Sequence, residues 1–303
     1  MSIRPVIEKR SAVPTMEGAG VHLHRAFGFQ DPTELDPFLL FDDFRNDIPA
    51  HFEKGFPWHP HRGIETITYV LSGEVEHQDS LGNTGNLGAG DVQWMTAGSG
   101  IMHQEMPRGN AQGQMHGFQL WGNLPGSQKM TAPRYQDVAS QEIPEVIDDD
   151  GTIVRVITGE FWGKRGPVDG IAADPQYLDV TVPAGVKKTF RIDTYRRAFA
   201  YVFSGEAAFA DASAPTGVLL EKEVMGEEVN IRDLSGDRTL IRFGTGDEVT
   251  VQAGPAGVRF LLISGAPIEE PVAWHGPIVM NTKDELRQAM QDLRNGTFIQ
   301  PAH

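Results

Sequence analysis

Short apolar runs, each closed by a glycine-containing turn, recur along most of this 303-residue sequence. Residues 64–71 and 198–203 each run into a Ser-Gly pair, and residues 92–95 precede a turn that contains two glycines. Apolar runs of this length that end at turn residues are typical of buried β-strands, whereas helices need longer periodic stretches. With 34 glycines and 20 prolines spread over the chain, the pattern predicts a mostly β protein.

The C-terminal region has the clearest helical pattern. Thr282 and Glu285 have the spacing of a capping box, which satisfies the first backbone amides of a helix. The apolar residues that follow share one helical face: Leu286, Met290 and Leu293. Asn295-Gly296 then provides a stop signal. The sequence therefore predicts one short helix at the end of an otherwise all-β chain.

An internal repeat divides the chain into two similar halves. Three blocks recur in the same order: residues 69–74 as 201–206, residues 88–91 as 244–247, and residues 118–122 as 260–264. One match can arise by chance, but three in order indicate a duplicated β domain whose copies differ in loop length. We place the boundary near residue 135, which predicts domains of residues 1–134 and 135–303.

Composition and charge exclude several classes of protein. The sequence has no cysteine, which rules out disulfides, thiolate-bound metals and thiol catalysis, so any metal must use His, Asp or Glu. A formal net charge of -15 argues against direct nucleic-acid binding, which needs a basic surface. No run approaches the roughly 20 apolar residues of a membrane span, and no signal-peptide pattern opens the chain. We therefore expect a cytoplasmic protein without membrane contact.

Two segments have the spacing of a metal site. In His59-Pro60-His61 the proline disfavours a helix, and in an extended strand both imidazoles point to one face, about 6.6 Å apart. His103 and Glu105 form a second pair of this spacing after another glycine-rich turn. If the strands between them return the chain to an antiparallel neighbour, three imidazoles and a carboxylate face one ion.

The spacing alone is a weak signal. His22-Leu23-His24 has the same spacing but no second pair, and we expect an ordinary strand face there. Four aromatic residues flank the two metal-site segments, and the pattern leaves open whether they line a ligand slot or pack in the core: Phe52, Phe56, Trp58 and Trp94.

Four segments together resemble the pirin family of bicupins: residues 36–44 (DPFLLFDDF), 59–66 (HPHRGIET), 90–98 (GDVQWMTAG) and 270–277 (EPVAWHGP). The resemblance covers nearly the whole chain, from about residue 3 to the predicted C-terminal helix. It implies two tandem cupin domains, each a β-sandwich barrel, with one metal in the N-terminal barrel.

The resemblance also implies a ligand set. In pirins the ligands stand at the positions of His59, His61, His103 and Glu105, and the usual ion is iron. Glu65 stands where many other cupins have their carboxylate ligand. Since pirins use the carboxylate after the last histidine, we expect Glu65 beside the ligands rather than among them. Mn, Co, Ni, Cu and Zn suit the same donors, so the sequence leaves the metal open.

The repeat gives an independent estimate of the number of sites. Shifted by 132 residues, the offset of the first repeated block, His59 and His61 fall on Arg191 and Asp193. Shifted by 156 residues, the offset of the second block, His103 and Glu105 fall on Arg259 and Leu261. The second domain therefore lacks a ligand set, and we expect one divalent metal, Fe(II) by resemblance, in each chain.

Several pirins resemble quercetin 2,3-dioxygenases, so the resemblance implies a non-haem iron dioxygenase that cleaves a flavonol-like aromatic such as quercetin with O2. Glu105 is then both a metal ligand and the catalytic base that takes the substrate hydroxyl proton. The alternative is a non-catalytic regulator that contains a metal and binds another protein, as eukaryotic pirins are thought to do. A third interpretation is a cupin whose ion only stabilises the fold. We expect a monomer.

Overall fold

The computed structural model describes residues 2–30, 32–168, 172–209, 221–224, 227–230 and 234–299. The chain forms two compact units. The first unit contains Val13–Glu142 and Ile268–His303, and the second unit contains Met1–Ala12 and Ile143–Pro267. Strands dominate both units, as the apolar runs and glycine turns predict.

The described residues form 26 strands and one α-helix. In chain order the strands are β1 (Val6–Ser11), β2 (Val13–Glu17), β3 (Val21–Phe27), β4 (Phe38–Asp43), β5 (Phe56–His61), β6 (Ile64–Ser72), β7 (Glu74–Asp79), β8 (Thr84–Leu87), β9 (Val92–Thr96), β10 (Ile101–Arg108), β11 (His116–Asn123), β12 (Arg134–Val138), β13 (Glu145–Ile147), β14 (Ile153–Thr158), β15 (Glu160–Phe161), β16 (Lys164–Arg165), β17 (Gln176–Val182), β18 (Lys187–Arg191), β19 (Arg197–Phe209), β20 (Glu221–Val224), β21 (Glu227–Asn230), β22 (Leu234–Ser235), β23 (Thr239–Phe243), β24 (Glu248–Gly265), β25 (Ala273–His275) and β26 (Ile278–Met280). The α-helix is α1 (Lys283–Asn295), and three short 3-10 helices cover Pro49–His51, Gly126–Gln128 and Ser140–Glu142.

Two antiparallel sheets build the first unit. The larger has the strand order β12-β9-β6-β11-β4-β3-β2, and the smaller has the order β5-β10-β7-β8. An apolar cluster joins the two, with Val21, Leu23 and Val70 from the larger sheet and Val75 and Leu87 from the smaller. The unit is therefore a β-sandwich barrel, and burial of this apolar surface is its main stabilising contribution.

The C-terminal segment adds the hairpin of β25 and β26 and the helix α1 to the first unit. The predicted capping box is confirmed: the Glu285 amide donates to Thr282 Oγ1 at 3.2 Å, and the Thr282 amide donates to Glu285 Oε2 at 2.8 Å. Gly296 ends the helix with a φ of 72°, a left-handed value that glycine adopts without strain. Across the described ranges, no helix is long and apolar enough to cross a membrane.

One large antiparallel sheet forms most of the second unit. Its main path is β1-β23-β19-β24-β17-β14-β13, and β18 pairs with β24 while β22 pairs with β19. The long strands β19 and β24 carry much of the apolar core, which includes Val202, Phe209, Val251 and Phe260. The duplicated β domain predicted from the repeat thus corresponds to two strand-rich units, each with its own core.

The compact units differ from the predicted domains at both ends of the chain. β1, which the prediction assigns to the first domain, pairs with β23 in the second unit, where Lys9 lies opposite Ile241. The helix assigned to the second domain belongs to the first unit. Local sequence patterns define strands but not the sheet that an end segment joins, so this exchange was not predicted. The domain boundaries of residues 1–134 and 135–303 stay a prediction.

Candidate metal centre

The two histidine-containing segments form adjacent antiparallel strands, as predicted. β5 pairs with β10, with His59 opposite His103 and His61 opposite Ile101. The connection is not a simple meander, because β6 and β9 lie in the larger sheet while β7 and β8 continue the smaller one. Pro60 keeps β5 extended, so the two imidazoles of this strand stay on one face.

The three imidazoles converge on one point. Each offers a ring nitrogen that lies within 4.8 Å of the other two, a spacing that one metal ion can bridge. The ring centroids of His59 and His103 are 4.3 Å apart, and that of His61 lies 4.9 and 5.0 Å from them. His61 and His103 are buried, whereas His59 is half-buried.

Backbone carbonyls set the tautomers of two of these rings. His61 Nδ1 lies 3.2 Å from the Pro277 carbonyl oxygen, and His59 Nδ1 lies 2.9 Å from that of Pro57. Because a carbonyl oxygen only accepts, both Nδ1 atoms must carry the proton. Nε2 is then left with its lone pair, which is the arrangement of a metal-binding imidazole whose other nitrogen is held by the protein.

The surroundings of His103 favour metal binding more strongly than those of the other two histidines. It is 1% exposed, and neither of its ring nitrogens has a hydrogen-bond partner among the described residues. Burial first, and then the neighbouring imidazoles, lower the pKa of both His103 and His61 well below the ordinary value for histidine. Neutral imidazoles with unpaired nitrogens are the form that binds a metal cation. The donor set therefore fits a divalent ion.

Glu105 lies two residues further along β10. It is 4% exposed, and its carboxylate accepts hydrogen bonds from Thr68 Oγ1 at 3.2 Å and from Gln119 Nε2 at 3.2 Å. In the part of the chain that the structure describes, the converging cluster consists of the three histidines, and Glu105 is not a member. The β5–β10 register shifts between His103 and Glu105, which places Glu105 opposite Phe56. Its role as fourth ligand stays a prediction.

Glu65 has its contacts in the larger sheet. It is buried on β6 opposite Thr96 of β9, and its Oε1 accepts from Thr96 Oγ1 at 2.7 Å. Burial raises the pKa of this carboxyl to about 7, and the hydrogen bond opposes part of that effect. The expectation that Glu65 supports the ligands stays a prediction.

Sequence reasoning missed the contribution of the C-terminal segment. Besides the Pro277 carbonyl that holds His61, the segment binds the neighbouring residue Arg62, which is 2% exposed. The Arg62 guanidinium donates to Asp292 Oδ2 at 2.7 Å, to the Phe298 carbonyl at 2.9 Å and to the Ser99 carbonyl at 2.7 Å. The resemblance included residues 270–277, but nothing in their sequence indicates contact with a strand more than 200 residues away.

A cavity of about 360 Å³ opens beside the histidines. Its lining includes His59, His61, Gln119, Trp121 and Phe56. The volume falls within the range of small-molecule sites, about 300–1,000 Å³. Of the four aromatic residues left open by the sequence, Phe56 lines the cavity, whereas Phe52 and Trp94 are buried and Trp58 is 48% exposed. The sequence did not predict that Trp121 lines the cavity.

The fold and the site define a bicupin whose first unit carries a three-histidine candidate metal centre. The family model described as Pirin matches residues 20–122, and the one described as Pirin C-terminal cupin domain matches residues 177–299. The chain belongs to the pirin family, as the resemblance implied.

Individual proteins support the same assignment. A pirin-like protein from Caulobacter vibrioides is 42% identical over 98% of this chain and 100% of its own length. A protein from Pseudomonas aeruginosa with the provisional name quercetin 2,3-dioxygenase is 37% identical over 97% of this chain and 98% of its own. The crystal structure of a quercetin 2,3-dioxygenase from Acinetobacter baumannii is similar with a TM-score of 0.84 at 29% identity, covering 98% of this chain and 99% of that one. The tandem cupin fold predicted from the sequence is thereby confirmed.

Proposed function

We propose that this pirin is a metal-dependent dioxygenase that cleaves a flavonol-like aromatic with O2. The observation that carries the proposal is the convergence of three imidazoles, His59, His61 and His103, beside an aromatic-lined cavity. A structural site has no need of such a cavity. The names of the relatives from Pseudomonas aeruginosa and Acinetobacter baumannii favour quercetin as the first substrate to test.

In this proposal the three histidines and Glu105 hold one divalent ion, with Fe(II) the first choice. When bound, such an ion supplies open coordination positions for a substrate oxygen and the redox chemistry that O2 cleavage needs. The protein contributes fixed donors on rigid strands, since β5 and β10 belong to one hydrogen-bonded sheet. Mn, Co, Ni, Cu and Zn remain alternatives for the same donors.

Glu105 is the residue we assign to proton transfer. Its carboxylate is buried, and the hydrogen bonds from Thr68 and Gln119 fix its orientation while leaving lone pairs on both oxygens. A carboxylate held in this way accepts the hydroxyl proton of a bound flavonol. Trp121 and Phe56, which line the cavity beside His59 and His61, contact the flat faces of the substrate and exclude water.

The test is aerobic consumption of quercetin, followed optically, by protein reconstituted with Fe(II) beside the metal-free protein. We expect turnover that His61→Ala abolishes and that Glu105→Gln lowers by about 100-fold, a usual contribution of general base catalysis. His22→Ala is the matched control, because His22 belongs to the other His-x-His pair and its ring stacks on His51 instead. Absence of turnover with Fe, Mn, Ni, Co and Cu in a fully loaded site contradicts the proposal for flavonols.

The second candidate is a metal-containing regulator that binds another protein. The net charge of -15 favours a protein partner over nucleic acid. A turnover assay distinguishes the two candidates. If the protein is a regulator, the wild type consumes no substrate, and His61→Ala weakens binding to a protein partner.

A further inference from the structure

Besides His59 and His61, three ionisable side chains line this cavity: Glu17, Arg25 and Asp42. The Arg25 guanidinium donates to both Asp42 oxygens, from Nε to Oδ1 and from Nη2 to Oδ2, each at 2.8 Å. Its Nη1 donates to Glu17 Oε1 at 2.9 Å. We call these residues the Glu17–Arg25–Asp42 triad.

A continuous aromatic wall connects this triad to the candidate metal centre. The Trp121 ring lies edge-on to His61, with the ring centroids 5.1 Å apart. Phe29 lies edge-on to Trp121 at 6.4 Å, and the Arg25 guanidinium lies over the Phe29 ring at 5.0 Å. A flat polycyclic ligand with one end at His61 can therefore follow this wall to the triad without leaving aromatic contact.

The triad has the hydrogen-bonding character of an acceptor site. One guanidinium is paired with two carboxylates, so the ionised triad has a net charge of −1. Glu17 is the more accessible carboxylate, with its side chain 39% exposed, and only its Oε1 is engaged by Arg25. The remaining carboxylate lone pairs accept hydrogen bonds from hydroxyl donors, whereas a carboxylate or sulfate on the ligand is repelled.

Stability alone does not account for the position of these charges. Placing a paired Arg and Asp at the wall of a largely apolar cavity costs desolvation that well-packed apolar residues avoid. A comparable pair in the second unit, Arg259 with Asp179, also has its guanidinium over a phenylalanine ring, at 5.2 Å from Phe203. That pair does not belong to the unit that contains the histidine cluster, and it serves as a reference for purely structural effects.

We propose that the Glu17–Arg25–Asp42 triad is a specificity site that binds phenolic hydroxyl groups of a polyhydroxylated aromatic, namely the hydroxyls other than the one that faces the histidines. The inference rests on the proposed function, since it concerns the same cavity. It assigns the recognition of hydroxylation pattern to Glu17 and the positioning of both carboxylates to Arg25.

The test is a binding experiment without turnover. Fe(II)-loaded protein is titrated under strictly anaerobic conditions with quercetin, which has several ring hydroxyls, and with 3-hydroxyflavone, which has one. Quenching of tryptophan fluorescence reports occupancy, because Trp121 lines the cavity. We expect Glu17→Ala to weaken quercetin binding about tenfold, the loss of one hydrogen bond to a charged acceptor, and to change 3-hydroxyflavone binding less than about twofold.

Two further variants make the result specific. Arg25→Met should also reduce the preference for quercetin, by releasing both carboxylates from their positions. Arg259→Met removes the corresponding guanidinium of the second unit and should leave the preference unchanged. If Arg25→Met does not fold, Glu17→Ala still tests the proposal. Glu17 is partly exposed, and its removal leaves the Arg25–Asp42 pair in place.

If Glu17→Ala weakens the binding of both ligands equally, or of neither, the triad is not a specificity site. That result leaves the proposal of flavonol cleavage unaffected. If the wild type binds neither flavonol, the proposed function fails for this substrate class and the triad proposal fails with it. Turnover of quercetin by the wild type, measured separately, distinguishes the two failures.

Discussion

At the scale of single residues, the buried carboxyl group of Glu65 makes the stability of the first unit depend on pH. Glu65 has an ordinary pKa of 4.5, and burial raises it to about 7 in the folded protein. Between these values the unfolded chain releases the proton while the folded protein keeps it, so stability is lost as the pH rises through this range. A difference of this size corresponds to about 3 kcal/mol.

We therefore expect Glu65→Gln to raise the Tm of the metal-free protein at pH 8 and to leave it nearly unchanged at pH 4. The amide keeps the shape of the carboxyl and can still accept from Thr96. Thermal unfolding across this pH range measures the effect, and Glu76→Gln, at an exposed ion pair with Arg108, is the control. An equal gain at both pH values would show that packing, not protonation, sets the difference.

At this scale, the sequence predicts site residues that share one short segment. It does not predict site residues that only the tertiary fold brings together. His59 and His61 are two positions apart on an extended strand, so their common face follows from local geometry. Trp121 lies on β11 and contacts His61, whereas Phe29 lies in the turn after β3 and contacts Trp121. Both are remote in sequence from the histidines, and only sheet pairing and side-chain contact bring them to the site. No local pattern distinguishes buried Trp121 or exposed Phe29 from the other aromatic residues of the chain.

At the scale of elements, the ion pair of Arg62 and Asp292 connects helix α1 to the end of β5. Arg62 follows His61 directly, and its guanidinium is buried against Asp292 of α1. The hydrogen bond from Arg62 lowers the pKa of Asp292, so this contact stabilises the ionised carboxylate. Removing the carboxylate charge leaves a buried guanidinium with weaker pairing.

We expect Asp292→Asn to lower the free energy of unfolding by about 2 kcal/mol and to weaken metal binding, because β5 loses part of its support. Asp284→Asn is the control, since Asp284 lies on the same helix and pairs with Arg287 where both side chains are largely exposed; its effect should stay below about 0.5 kcal/mol. Chemical denaturation and metal titration measure the two quantities. Equal destabilisation by both variants would contradict the assigned contact.

Helix α1 itself was predictable, because its start and stop depend on neighbouring residues. Thr282, Glu285 and Gly296 have the same roles in the structure as in the sequence pattern. We expect Thr282→Ala to cost about 1 kcal/mol in the free energy of unfolding, the usual loss for a capping threonine. Thr297→Ala, just beyond the helix, gives the reference. What the helix packs against was not predictable, because its apolar face fits any apolar surface of similar size.

At the scale of the whole molecule, the internal repeat predicts two similar domains with different chemistry. Arg191 of β18 and Arg259 of β24 occupy the positions that correspond to the histidine segments of β5 and β10. The described part of the second unit contains no group of three or more candidate ligands within reach of one ion. The exchange of end segments between the units was not predictable, since β1 has the alternating pattern of any edge strand.

One bound metal per chain should therefore protect one unit and not the other. At a free Zn(II) concentration of about 100 times its Kd, binding adds about 2.7 kcal/mol to the stability of the unit that holds the ion. Hydrogen exchange with and without Zn(II) should show about 100-fold slower exchange for amides of β5 and β10 that open with the whole unit, and little change in β18. His61→Ala should abolish the difference. Comparable protection of β18 would indicate a second site and contradict the loss of ligands in the second repeat.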